Sequence, residues 1–158
     1  MFPTNIHLDL LSHSLIPDPF IDTNEKDVNW VEDHAWIYEL SFNIPEIAFQ
    51  GHGTRIVLVF EGLDTFATVK LNGEDILYSD NMFISHRVQI QENMLVRNAG
   101  KDNAQVLQIH FDSATRRGLE EVKRNPNHPW GVFSGDSRRT AVRKAQYHYV
   151  SGQFPSFR

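Results

Sequence analysis

Five apolar side chains at every second position, Trp36, Tyr38, Leu40, Phe42 and Ile44, restrict residues 35–44 to a strand with one covered face. Only an extended chain sends alternate side chains to opposite sides. The same reading continues downstream. Arg55–Glu61 is apolar through its centre, which predicts a central strand covered on both faces. Phe66–Leu71 places Ala67, Val69 and Leu71 on one face and runs into Asn72-Gly73. That dipeptide best tolerates the positive φ angles of a type I′ turn, so Glu74–Tyr78 is expected to fold back as a hairpin. Ile84–Ile90 and Gln105–Phe111 supply two more strands. Short strands separated by turn signals predict an all-β, antiparallel sandwich, not alternating βα units.

Helical signals lie outside the strands. Thr4–Leu15 carries Ile6, Leu10 and Leu11 behind a capping Thr4 or Asn5, which predicts one short helix or an irregular turn. Pro17 and Pro19 then enforce an extended loop through Phe20. Ser113–Asn125 reads as a helix with Ser113 as its cap, Leu119 and Val122 as a thin apolar face, and Pro126 beyond its end. One or two short helices are therefore expected beside the strands. From there to Tyr149 the chain is polar and aromatic with no clear period, and no internal repeat is visible.

A chain of 158 residues suits one domain, and a fold of that size buries roughly two-thirds of the surface of its unfolded chain. The net charge of −5 argues against a nucleic-acid partner. The basic clusters Arg116-Arg117 and Arg138-Arg139 with Arg143-Lys144 are short and diluted by acids. The absence of cysteine excludes disulfides and thiolate metal sites and suits a reducing compartment. Ile56–Phe60, the longest apolar run, is too short for a bilayer, and no basic, then apolar, leader opens the sequence. No membrane partner and a cytoplasmic location are expected.

Residues with bond-breaking potential are scarce. A retaining glycosidase needs two carboxyl groups about 5 Å apart, and none of the 20 acidic residues declares such a pair. Glu61 and Asp64 border a turn and are read as backbone anchors or solvated groups. The eight histidines are scattered, without the helical pair of a metalloprotease; neither metal nor cofactor is expected. Gly51-His52-Gly53 is a turn, and Ser134-Gly135-Asp136-Ser137 is no nucleophile elbow. Trp30, Trp36, Trp130, Tyr147 and Tyr149 could stack on sugar rings. The alternating face assigns Trp36 to the core. Trp130 and Tyr147-His148-Tyr149 stay open between packing and lining a sugar pocket.

Several strings go beyond composition. Pro3-Thr4-Asn5-Ile6-His7-Leu8-Asp9-Leu10-Leu11, Leu15-Ile16-Pro17-Asp18-Pro19-Phe20 and Asn24-Glu25 resemble the start of β-mannosidases of glycoside hydrolase family 2. Trp30-Val31, Trp36-Ile37-Tyr38, Phe60-Glu61-Gly62-Leu63-Asp64-Thr65 and Val69-Lys70-Leu71-Asn72-Gly73 follow in the family's order. Asp80-Asn81-Met82-Phe83 and Ser85-His86-Arg87 are similar to the fungal intracellular members. Val142-Arg143-Lys144-Ala145-Gln146-Tyr147-His148-Tyr149 is similar to the approach to the family's hallmark. The resemblance covers residues 3–149.

It implies an all-β, antiparallel jelly-roll β-sandwich of the galactose-binding type, followed in the family by an immunoglobulin-like domain and a (β/α)₈ barrel that holds both catalytic glutamates. It also implies a sugar-contacting Gly-Trp-Asp-Trp-Gly-Pro stretch after Tyr-His-Tyr. Here Val150-Ser151-Gly152 follows instead, so those contacts are expected to be missing, as is the family's leading strand at the start. The expected organisation is a sandwich domain over 1–149 and a disordered, non-family tail over 150–158. Intron read-through or a gene-model error would explain such a tail. The expected function is that of a non-catalytic N-terminal β-mannosidase domain. A stand-alone carbohydrate-binding module and a non-functional truncated product are the alternatives. The partner is a β-mannoside or mannose-containing oligosaccharide, and the substrate-binding candidates are Trp130, Arg143, Lys144, Tyr147 and His148. No catalytic residue is expected in the chain.

Overall fold

The computed structural model describes residues 4–49, 55–97 and 103–127. The chain divides into two units, one of Ile37–Asp112 and one of Met1–Trp36 with Ser113–Arg158.

The first unit is the sandwich. Its strands are β1 (Trp36–Asn43, entering from the other unit), β2 (Ile56–Phe60), β3 (Ala67–Leu71), β4 (Glu74–Ser79), β5 (His86–Ile90) and β6 (Ala104–Phe111). One sheet runs β1-β6-β3-β4 and a second pairs β2 with β5. The β3–β4, β3–β6 and β2–β5 pairs are antiparallel. β3 is central, so its inward side chains Ala67, Val69 and Leu71 are at most 1% exposed. Phe60 and Leu63 close over Ala67 and Val69, with Leu58, Val88, Ile76, Leu77, Leu107, Ile109 and Phe111 packed around. Contributions from both sheets make this the shared core of a sandwich. The expected β architecture is thus present.

Two strand expectations need correction. β2 is not covered on both faces: Val57 and Val59 are 39% and 48% exposed, and among the described residues β2 pairs only with β5. Its valines favour the extended backbone through their branching, not through burial. Leu40 is 44% exposed although it alternates with the half-buried Tyr38 and Phe42.

The β3–β4 turn is fastened by a buried amide network. Asn72 (φ +53°) and Gly73 (φ +89°) take the positive angles of the expected turn. The Asn72 side chain spans to β6: Oδ1 accepts from the Val106 N–H at 2.9 Å, and Nδ2 donates to Met94 O at 2.9 Å and Gln105 Oε1 at 2.7 Å. Gln105 is wholly buried. Its Oε1 also accepts from the Val96 N–H, while Nε2 donates to Val96 O and Asn103 O at 2.7 and 2.9 Å. Buried amides are tolerable only when so satisfied.

The second unit contains α1 (Ile6–Ser12), α2 (Asn24–Asp27), a 3₁₀ turn at Asn29–Asp33, and α3 (Ala114–Arg124). Asn5 caps α1 by accepting from the Leu8 N–H at 3.0 Å. Leu10, Ile16, Val28 and Val31 form a small core with Ile6, Leu11 and Trp36 against it. Ser113 caps α3, accepting from the Arg116 N–H at 3.1 Å and donating to Glu32 O at 2.9 Å. α2 and the 3₁₀ turns are additions to the expected one or two helices. They are single turns, too short to display an apolar period.

Candidate functional site

All five sequence-designated candidates, Trp130, Arg143, Lys144, Tyr147 and His148, lie outside the described residues, as does Tyr149. The described residues of the helical unit hold an aromatic cluster and a hydrogen-bonded loop with exposed apolar side chains.

The first is an aromatic cluster. Trp30 and Trp36 have ring centroids 6.0 Å apart, and His34 meets Trp30 edge-on at 5.4 Å. Two backbone bonds fix the rings: Trp36 Nε1 donates to Val31 O at 3.0 Å, and His34 Nδ1 lies 2.9 Å from Trp30 O. Trp36 thus packs on the small core, as its alternation predicts, whereas Trp30 stays 40% exposed.

The second is the loop from Pro17 to Asn24. Asp18 organises it: Oδ1 accepts from the Phe20 N–H at 2.9 Å, and its carbonyl accepts from the Ile21 N–H and Asn24 Nδ2. Two prolines fix φ on either side of Asp18, and Asp22 sits at φ +48°. The braced loop holds Phe20 96% exposed, beside Ile21 at 55% and after Leu15 at 67%. Sequence reading found the loop but not the display. The available signal was the Asp18-Pro19-Phe20 order, in which an aspartate can bond the backbone two residues on.

Among the described residues, Glu61, Asp64 and Glu46 are each tied into local structure. Glu61 is tied into its turn through its carbonyl, which accepts from Ser85 Oγ at 3.0 Å. Asp64 accepts from the neighbouring Thr65 hydroxyl. Gly62 between them fits because an added Cβ would come within 3.0 Å of Met82 O. Glu46 binds Arg97 Nη2 at 2.5 Å and Asn103 Nδ2 at 3.1 Å, and Arg97 stacks over the Phe49 ring. Arg97 first, then Asn103, holds the Glu46 carboxyl below its ordinary value of 4.5, the opposite of what a general acid needs. A depressed folded value means that this pair stabilises above the ordinary carboxylate range and loses its contribution as the pH falls through the folded value. Arg97→Ala should therefore raise the Glu46 midpoint in an NMR titration. Added salt should shrink the difference, because both side chains are half-exposed. No group of three or more metal-ligating side chains occurs among the described residues.

Two antiparallel sheets that share one apolar core define the class, a β-sandwich. Residues 1–152 match the family described as the glycosyl hydrolase 2 galactose-binding domain-like family, and the chain belongs to it. Beta-mannosidase B of Thermothelomyces thermophilus is 51% identical over 148 residues, 94% of this chain and 16% of that protein. Beta-mannosidase B of Aspergillus oryzae is 44% identical over 147 residues, again covering 16% of its length. A solved β-D-mannosidase structure from Dictyoglomus thermophilum superposes with a TM-score of 0.73 at 37% identity, covering 93% of this chain and 17% of that one. The chain thus spans about a sixth of the relatives it matches.

Proposed function

We propose that the chain serves a β-mannosidase as its sandwich domain, supplying recognition and assembly while the catalytic carboxylates come from the remainder of the enzyme. The carrying observation is the 51% identity to a Beta-mannosidase B over 94% of the chain but only 16% of the relative. The substrate of the assembled enzyme is then a β-mannoside. The chain alone is expected to release no nitrophenol from 4-nitrophenyl β-D-mannoside. Hydrolysis that persists after removal of contaminating glycosidases would overturn the reading. Titration with mannobiose separates the rival reading of a stand-alone binding module, which requires saturable heat.

The loop at Phe20 supports the same reading as a contact to the rest of such an enzyme. With residues 1–149 grafted into the T. thermophilus protein, Phe20→Asp should remove about 1.5–3 kcal/mol of apolar burial. The isolated chain should change by no more than about 0.5 kcal/mol. Paired thermal melts of graft and isolated chain read both effects. Equal shifts in both would remove the loop from the interface.

A further inference from the structure

Asn72-Gly73 is a chemically labile pair as well as a turn. The glycine amide is unhindered, so its nitrogen can attack the asparagine side-chain carbon. In that step the Gly73 N–Cγ bond forms, the Cγ–Nδ2 bond breaks and Nδ2 leaves as ammonia, taking the Gly73 amide proton. Water then opens the cyclic imide to aspartate or isoaspartate. The reaction needs no oxidant or reductant.

The fold holds this reaction back. Asn72 Nδ2, the leaving group, donates to Met94 O and Gln105 Oε1, and Oδ1 accepts from the Val106 N–H. The Asn72 backbone N–H also donates to Val106 O at 2.8 Å. Attack by Gly73 requires the side chain to abandon all three of its partners. The product cannot take them back: an aspartate oxygen in place of Nδ2 faces two oxygen acceptors. Turning the Gln105 amide over offers no escape, because Oε1 would then face Val96 O and Asn103 O, which Nε2 now serves. Isoaspartate adds a methylene to the backbone just where Leu71 pairs with Glu74.

We propose that Asn72 is a modification site that records unfolding, closed to deamidation in the folded sandwich and open whenever the β3–β4 hairpin releases β6. Each event leaves a chain that no longer closes the Gln105 network, so loss of structure becomes permanent. The test follows deamidation at Asn72 by peptide mass spectrometry in the full chain, in buffer and in urea at the same mildly alkaline pH. Protection should make the buffer rate slower by roughly a hundredfold. Rates within about twofold of each other would overturn the proposal, whatever the reason for the missing protection. Asn72→Asp, made directly, carries the second half. It should melt well below the parent or fail to fold, and a parental melting curve would overturn the claim that the product cannot re-enter the fold.

Discussion

Gln105→Leu is expected to cost about 1–3 kcal/mol, because it removes a wholly buried amide that bonds to partly covered backbone groups. The substitution keeps the side-chain volume but removes the side-chain partner of the Val96 N–H and Val96 O and one of the two acceptors of Asn72 Nδ2, while Asn103 O keeps the Ile44 N–H. A domain of this size has only about 5–15 kcal/mol in total, so the loss should be readily measurable. Urea titration checks this as a lower midpoint at an unchanged slope. Gln105→Glu sharpens the result. Its carboxylate would face Val96 O and Asn103 O in a buried site, which raises its folded pKa. A raised folded value favours the protonated form, so that variant should be most stable in acid and weaken as the pH rises through the carboxylate range. A Gln105→Glu chain insensitive to pH there would place Gln105 outside the buried network.

Leu71→Ala should cost about 2–5 kcal/mol, the transfer energy of the lost methyl groups plus the void they leave. Leu71 is 1% exposed at the end of central β3, where it pairs with Glu74 on β4 and Leu107 on β6. The strand cannot settle into the gap without losing the Asn72–Gly73 turn that follows it. The matched Leu40→Ala change on β1, at a position 44% exposed, should stay near 0.5 kcal/mol. Similar losses at the two positions would contradict the assignment of the inner face. Chemical denaturation of both variants decides it.

Legibility from sequence followed the local physics. β3, the Asn72-Gly73 turn and β4 were readable because period-two burial and positive φ each leave a mark in a few adjacent residues. Ser113 was readable as a helix cap for the same reason. β2 was over-read: Val57 and Val59 carry a strand propensity that resembles burial, and only the sheet partners reveal which face is open. The Gln105 network was invisible, since a glutamine amid apolar residues looks like a solvated position until the Val96 and Asn103 carbonyls are placed beside it. Phe20 was read as part of an extended loop, because exposure of a phenylalanine depends on what the braced backbone turns it away from. The family, by contrast, was legible from ordered strings such as Phe60-Glu61-Gly62-Leu63-Asp64-Thr65, and the family match over residues 1–152 agrees.

As proposed, this sandwich serves a β-mannosidase without supplying its chemistry. The most direct measurement exchanges residues 1–149 for the matching segment of the T. thermophilus Beta-mannosidase B and follows hydrolysis of 4-nitrophenyl β-D-mannoside. The account predicts that the graft melts cooperatively and hydrolyses the mannoside while the isolated chain does not. A cooperatively folded graft that has lost hydrolysis, or an isolated chain that carries it out, would contradict the account.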